Sequence, residues 1–243
     1  MTDVYDKLRE RLDMFPQGFA KTKSGVELEI LKRLFKPEEA EIMLNLKPLP
    51  EKLADIAQRT AKDEKKLGDM LYDMSKRGLL MRWQSPDKDM YYFLIPWAIG
   101  IYEYQLNNLT RDNVELFQKY YEEGMVPNWK GKKTGMVRVI PVQKEIEGKT
   151  EIQPYEKVSQ IIEKHTRFAV ADCICRKIEK MQGRGCGKLL EACMSFGPAA
   201  DFYIENGLGR EITKDEAKQI LNKAEEDGLV HCSTNKAGTK TFI

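Results

Sequence analysis

No apolar run in this chain is long enough to cross a bilayer. The strongest runs from Tyr91 to Ile101 and is followed by Glu103, whereas a membrane helix needs about 20 apolar residues. The first fourteen residues lack the apolar centre of a signal peptide, because Asp3, Asp6, Lys7, Arg9, Glu10, Arg11 and Asp13 occupy it. Both absences lead us to expect a cytoplasmic protein without membrane insertion, whose thiols stay reduced. Charge of one sign is also missing. The formal net charge is +2, which excludes a surface built as a whole to grip nucleic acid or acidic lipid, though not a local basic patch. There is no Gly-x-x-x-x-Gly-Lys-Ser/Thr loop and no Gly-x-Gly-x-x-Gly turn to cradle phosphates. Carboxylates are many but spread over helical surfaces, with no pair singled out for acid–base work. Histidine is scarce. A Cys–His nucleophilic pair would have to draw on His165 or His231. The chain is not expected to be an enzyme by itself.

What the sequence does have is helical periodicity, then clustered cysteine. A leading helix over Val4 to Leu12 and an irregular stretch through Pro16 and Gly18 fill residues 1–23. Val26, Ile30, Leu31 and Leu34 fall at helical spacing. Pro37 and Pro50 sit where first helical turns tolerate proline, and Thr60 is a candidate N-cap. Leu67, Met70, Leu71 and Met74 mark the next helix, which Gly78 ends. Leu79–Trp83 and Met90–Ile95 look like strands joined by the turn Ser85 to Lys88. Helices followed by a two-stranded ribbon is the order of a winged helix, which we place at 24–96. Helices from Pro96 to Asn107 and from Thr110 to Glu123 complete a first domain, 24–123. The basic, glycine-containing stretch 124–135 is the expected linker.

In the second domain, 136–243, a strand is expected at Met136–Gln143, a helix at Pro154–His165 and a short strand at Phe168–Val170. Pro198–Asn206 reads as a helix. Thr213 to Glu216 fits a capping box opening another helix, which Gly228 stops. Leu229–Ser233 and Thr239–Ile243 read as a terminal hairpin. The expected fold is therefore α+β and predominantly helical. A winged-helix-like domain precedes a small α/β domain that carries the cysteines and closes on helix-plus-hairpin. Helix–Gly–Leu occurs in both halves, at Gly78-Leu79 and Gly228-Leu229, and is weak evidence for a repeat.

Cys173, Cys175, Cys186 and Cys193 give the spacing C-x-C-x10-C-x6-C. Thiolates are soft ligands suited to iron–sulfur clusters or zinc. Gly183, Gly185 and Gly187 flank Cys186, and glycine lets backbone N–H groups approach cluster sulfurs. Arg176 and Lys177 could offset thiolate charge. The bland alternative is four reduced cysteines acting as small buried apolar residues. Zinc stays open as the rival metal, although structural zinc sites favour C-x2–4-C knuckles. Cys232, beside His231, reads as a half-buried strand residue or an additional ligand. His165 falls near a helix C-terminus, where its charge would be tolerated.

Several segments resemble a known family. They are Phe15-Pro16-Gln17-Gly18, Ser24 to Leu28, Pro96 to Glu103, Arg138 to Val142, Cys173-Ile174-Cys175-Arg176-Lys177, Met194-Ser195-Phe196-Gly197 and Gly228-Leu229-Val230-His231. Together these resemble the 4Fe-4S ferredoxin-type iron–sulfur proteins of anaerobes that carry an N-terminal winged-helix-like region. The resemblance implies electron transfer in anaerobic metabolism, to or from a partner oxidoreductase. It implies a [4Fe-4S] cluster on Cys173, Cys175, Cys186 and Cys193, with zinc as the alternative. It also implies a second, dense cysteine run after the final strand, which these 243 residues do not include. A homodimer stays open.

The runner-up function is a redox- or metal-responsive winged-helix transcription regulator. Its recognition helix, 62–77, holds five positive and four negative side chains, and net neutralisation of phosphate governs DNA affinity. Docking of a protein partner is therefore favoured over DNA.

Overall fold

The computed structural model describes residues 3–130, 132–133, 137–139 and 158–234. The chain divides between Lys133 and Thr134 into two units. It is α+β and 54% helical. No helix among the described residues is long and apolar enough to cross a membrane.

The first unit opens with α1 (Val4–Asp13), α2 (Val26–Leu34) and α3 (Pro37–Asn45). The Tyr5 hydroxyl donates to the Phe35 carbonyl at 2.9 Å, tying α1 to the end of α2. Strand β1 (Glu51–Lys52) leads into α4 (Leu53–Thr60), α5 (Glu64–Lys76) and the ribbon β2 (Met81–Gln84) and β3 (Met90–Phe93). These three strands form an antiparallel sheet in the order β1-β3-β2. Glu51 is buried and accepts both guanidinium N–H groups of Arg59, at 2.6 and 2.9 Å. Burial raises the Glu51 pKa, but the hydrogen bonds from Arg59 and Lys47 outweigh it and hold the carboxyl low. This bidentate pair fixes the two-residue strand to α4. Asp63, not Thr60, caps α5, accepting from the Lys66 N–H at 2.9 Å. The Thr60 hydroxyl instead donates back to the Ile56 carbonyl at 2.8 Å, the local bond that competes with capping.

The helix expected at Pro96–Asn107 is broken. Trp97–Ile101 is an irregular turn in which Ala98, Ile99 and Gly100 are non-helical, and a 3-10 helix follows at Glu103–Asn108. Packing of Trp97 wins over local periodicity here. Its buried ring meets Phe19, Tyr102, Phe117 and Tyr120 at centroid distances of 5.1 to 5.9 Å, within the range of favourable aromatic pairs. The last two rings lie on or beside α6 (Arg111–Tyr120), which Thr110 caps. The first half of the stretch 124–135 is helical rather than loop: a π turn at Tyr121–Met125 runs into α7 (Val126–Trp129).

The second unit is built on β5 (Phe168–Asp172). Its neighbours are β6 (Glu191–Phe196) and β7 (Arg210–Ile212), in the antiparallel order β6-β5-β7. On one face Phe168, Val170, Met194, Phe196 and Ile212 pack against Ile161 and Ile162 of α8 (Val158–Glu163). Ala217, Ile220 and Leu221 of α11 (Lys214–Glu226) join the same cluster. Alternation puts Ala169, Ala171, Cys193 and Ser195 on the other face, where the small side chains let α10 (Pro198–Glu205) come close. A short helix, α9 (Ile174–Met181), follows β5. The ribbon β4 (Val137–Val139) and β8 (Cys232–Thr234) pairs Val139 with Cys232. The strand expected at Thr239–Ile243 lies outside the described residues, as do 140–143 of the strand expected at Met136–Gln143 and 154–157 of the expected helix. Thr213 caps α11 through the Glu216 N–H at 3.1 Å, while the Glu216 carboxylate binds Arg210 rather than closing a capping box.

One motif ends α5, α9, α10 and α11. Gly78, Gly183, Gly207 and Gly228 have positive φ, and the next residue's N–H bonds back to a carbonyl five residues earlier, as Leu79 does to Met74 at 3.0 Å. This is the Schellman ending, and it accounts for the Helix–Gly–Leu echo without a repeat. At Gly78, φ is +74° and an added Cβ would lie 2.5 Å from the Tyr104 Cβ and 2.9 Å from its carbonyl oxygen. Gly25 has a similar φ, +73°, with nothing within 4 Å. We expect Gly25→Ala to cost about 1 kcal/mol, from backbone conformation alone. Gly78→Ala adds the steric conflict and should cost roughly 2–4 kcal/mol. All three tryptophans, Trp83, Trp97 and Trp129, belong to the first unit, so urea titration followed by tryptophan fluorescence reads this difference directly. Equal losses for the two variants would remove the Tyr104 contact as the cause.

Candidate metal centre

Three of the four predicted cysteines are brought together, from three different elements. Cys173 follows the last residue of β5 and caps α9, its carbonyl accepting from the Lys177 N–H at 2.9 Å. Cys175 lies in the first turn of α9 and is exposed. Cys193 lies in β6, opposite Ala171 of β5. The register then shifts, pairing Asp172 with Glu191, so Ala192 is the extra residue of a β-bulge. A bulge re-aims the side chains beside it, and here it falls between Cys193 and the chain leaving toward Cys173. The Cys173 N–H closes the ladder on the Leu190 carbonyl at 2.8 Å.

The thiols of Cys175 and Cys193 both hydrogen-bond to the Cys173 sulfur. These bonds, Cys175 first, push the Cys173 thiol well below its ordinary range, against the opposing effect of burial. The Arg176 N–H and guanidinium act in the same direction. Cys193 moves the other way. It is the donor to Cys173, it is partly desolvated, and the charge on Cys173 disfavours a second anion beside it. Of the two strand-end sulfurs, Cys173 is thus the one favoured as thiolate and Cys193 the donor beside it. Arg176 is itself positioned by its bond to the Leu189 carbonyl at 2.9 Å.

Cys186 is displayed rather than gathered. It is exposed in the loop between α9 and β6. That loop is anchored at both ends. Arg184 makes two hydrogen bonds to Glu179, at 2.9 and 3.0 Å. Lys188 and the Leu189 N–H bind the carbonyl and carboxylate of Asp227 at the end of α11. Gly183 is used by the Schellman ending of α9, whereas Gly187, φ +71°, has nothing within 4 Å of its would-be Cβ. Among the described residues, no group of three or more His, Cys, Asp and Glu side chains is arranged to hold a metal ion.

The remaining candidates lie elsewhere. Cys232 is half-buried in β8, and burial raises its thiol pKa. His231 is buried. Desolvation lowers its imidazole pKa, opposed by Glu225 and by its bond to the Leu221 backbone, and its Nε2 has no hydrogen-bond partner. This is the behaviour of a neutral core histidine. His165 stacks on Phe196, with centroids 5.4 Å apart. Sequence reading missed α9, β6 and the bulge. Ile174 and Ile178, both buried and four residues apart, were the available signal for α9; the bulge left none.

Removing a donor from Cys173 should raise its pKa and shrink its thiolate fraction. In reduced, metal-free protein we expect Cys175→Ala and Cys193→Ala each to slow iodoacetamide labelling of Cys173 several-fold at about pH 6, with the rates converging near pH 9. Peptide-resolved mass spectrometry measures this. Unchanged rates at the lower pH would mean that the neighbouring thiols do not hold the thiolate.

No family model, curated protein or solved structure matches this chain.

Proposed function

We propose that the second unit is an iron–sulfur electron-transfer module whose cluster ligands are Cys173, Cys175, Cys193 and Cys186. The observation that carries this reading is that the thiols of Cys175 in α9 and Cys193 in β6 both hydrogen-bond to Cys173, just past β5, which favours Cys173 as thiolate. Soft thiolate donors beside a guanidinium suit a cluster of net negative charge. Cys186, on an exposed loop anchored at both ends, would supply the fourth thiolate. A bound cluster supplies reversible one-electron transfer, to or from a partner oxidoreductase.

The first unit is read as a winged helix that docks this partner. The order α2 to α5 followed by the ribbon β2–β3 supports that reading. So do the exposed aromatics Trp83 and Tyr72, since aromatic residues are enriched at protein interfaces. Lys65 pairs with Asp69 at 3.0 Å, Lys52 with Asp89 at 2.6 Å and Arg77 with Asp73 at 2.9 Å. Cations paired in this way are poor anchors for phosphate, which weighs against the DNA-binding regulator.

Protein purified without oxygen should contain iron and acid-labile sulfide, about four of each per chain, with a visible band that bleaches on reduction. Cys173→Ser should lose both, whereas Cys232→Ser should keep them. Zinc without sulfide would replace this reading with a structural site, and retention of the chromophore in Cys173→Ser would remove these residues as ligands.

A further inference from the structure

We propose that, free of metal, Cys175, Cys173 and Cys193 form a thiol–disulfide exchange site that reduces low-molecular-weight disulfides and ends as a Cys173–Cys193 disulfide. The three sulfurs form a hydrogen-bonded chain with Cys173 in the middle. Exposure falls along it, from exposed Cys175 to half-buried Cys173 and Cys193. A disulfide RS–SR arriving from solvent meets Cys175 first. The Cys175 thiol passes its proton to Cys173 along their hydrogen bond, the Cys175 sulfur attacks one sulfur of RS–SR, the S–S bond breaks, and the leaving RS⁻ takes a proton from solvent. The Cys173 sulfur then attacks the Cys175 sulfur, and the second RSH leaves with the Cys173 proton. The external disulfide has been reduced by two electrons and two cysteine thiols have been oxidised.

The bond does not rest there. Cys173 caps α9 and Cys175 stands two residues on in its first turn. A Cys173–Cys175 disulfide would close a small ring with one residue between its cysteines at the start of a helix, a geometry that departs from the preferred one and is easily attacked. Cys193 lies on the neighbouring strand with its thiol already against Cys173. Its sulfur attacks the Cys173 sulfur, and Cys175 leaves as a thiol carrying the Cys193 proton. The disulfide then spans β6 and the end of β5, inside the fold. Cys186 and Cys232 take no part, since neither belongs to the hydrogen-bonded chain. The exchange needs no metal, so a chain that never binds iron or zinc would still perform it.

The test equilibrates the full 243-residue chain, stripped of metal by chelation, with oxidised and reduced glutathione. It then blocks free thiols and maps cross-links by mass spectrometry. The expected product is one intramolecular link between Cys173 and Cys193. Cys175→Ser should give the same link about ten-fold more slowly, because entry moves to a less exposed thiol. Cys193→Ser should stop at Cys173–Cys175. No link among these three in excess oxidised glutathione would overturn the proposal, as would links formed through Cys186 or Cys232 instead. A wild-type rate in Cys175→Ser would overturn the order of attack.

Discussion

The second unit depends on one constraint, the burial of β5 on both faces. Phe168, Ala169, Val170 and Ala171 are all buried, with larger side chains toward α8 and α11 and alanines toward α10. A central strand enclosed in this way has its register fixed, because a one-residue slip would exchange the two sets and fill the wrong face. Everything at the cysteine site inherits that register. Cys193 stands opposite Ala171 because of it, and Cys173 emerges where the strand ends. The close approach of Gly209, whose would-be Cβ lies 2.5 Å from the Val170 carbonyl oxygen, shows how little room the strand has to shift on its α10 side.

The first unit rests on a different device. Its sheet is small, and its short edge strand β1 is held by Glu51 and Arg59 rather than by length. The irregular segment after the ribbon is fixed by Trp97 within a group of aromatic rings. That is a choice made by packing, and it explains why the periodicity of Trp97 to Asn107 predicted a helix that the chain does not form. A continuous apolar run carries no phase, so burial decides its conformation.

Features written into local chemistry were legible. Helix endings at Gly78 and Gly228, the caps at Thr110 and Thr213 and the ribbon turn at Ser85 to Lys88 all follow from one or two residues acting on their neighbours. The cap at Thr60 was misplaced because a hydroxyl can satisfy itself within its own helix. Of the site, the identity of the cysteines was legible and their meeting was not. Cys173 and Cys193 come together through strand pairing across an intervening helix and loop, and through a bulge at Ala192 that no residue type announces. Gly183, which had counted toward a cluster loop, is used to end α9.

The division of the four cysteines into three gathered and one displayed follows from how each is held. Cys173 and Cys193 are fixed by a sheet whose register cannot slip, and Cys175 by the first turn of a helix capped at Cys173. Cys186 instead sits in the exposed stretch between two anchors, Arg184 on Glu179 and Leu189 on Asp227. Both ends of that stretch are tied, and Gly187 beside the thiol takes a φ of +71° with nothing within 4 Å of its would-be Cβ, whereas Gly185 lies close against Lys180 of α9. Arg176, held by the Leu189 carbonyl, joins the charge on Cys173 to the base of the loop. A chemistry that needs only two sulfurs would use the assembled part and leave the loop untouched.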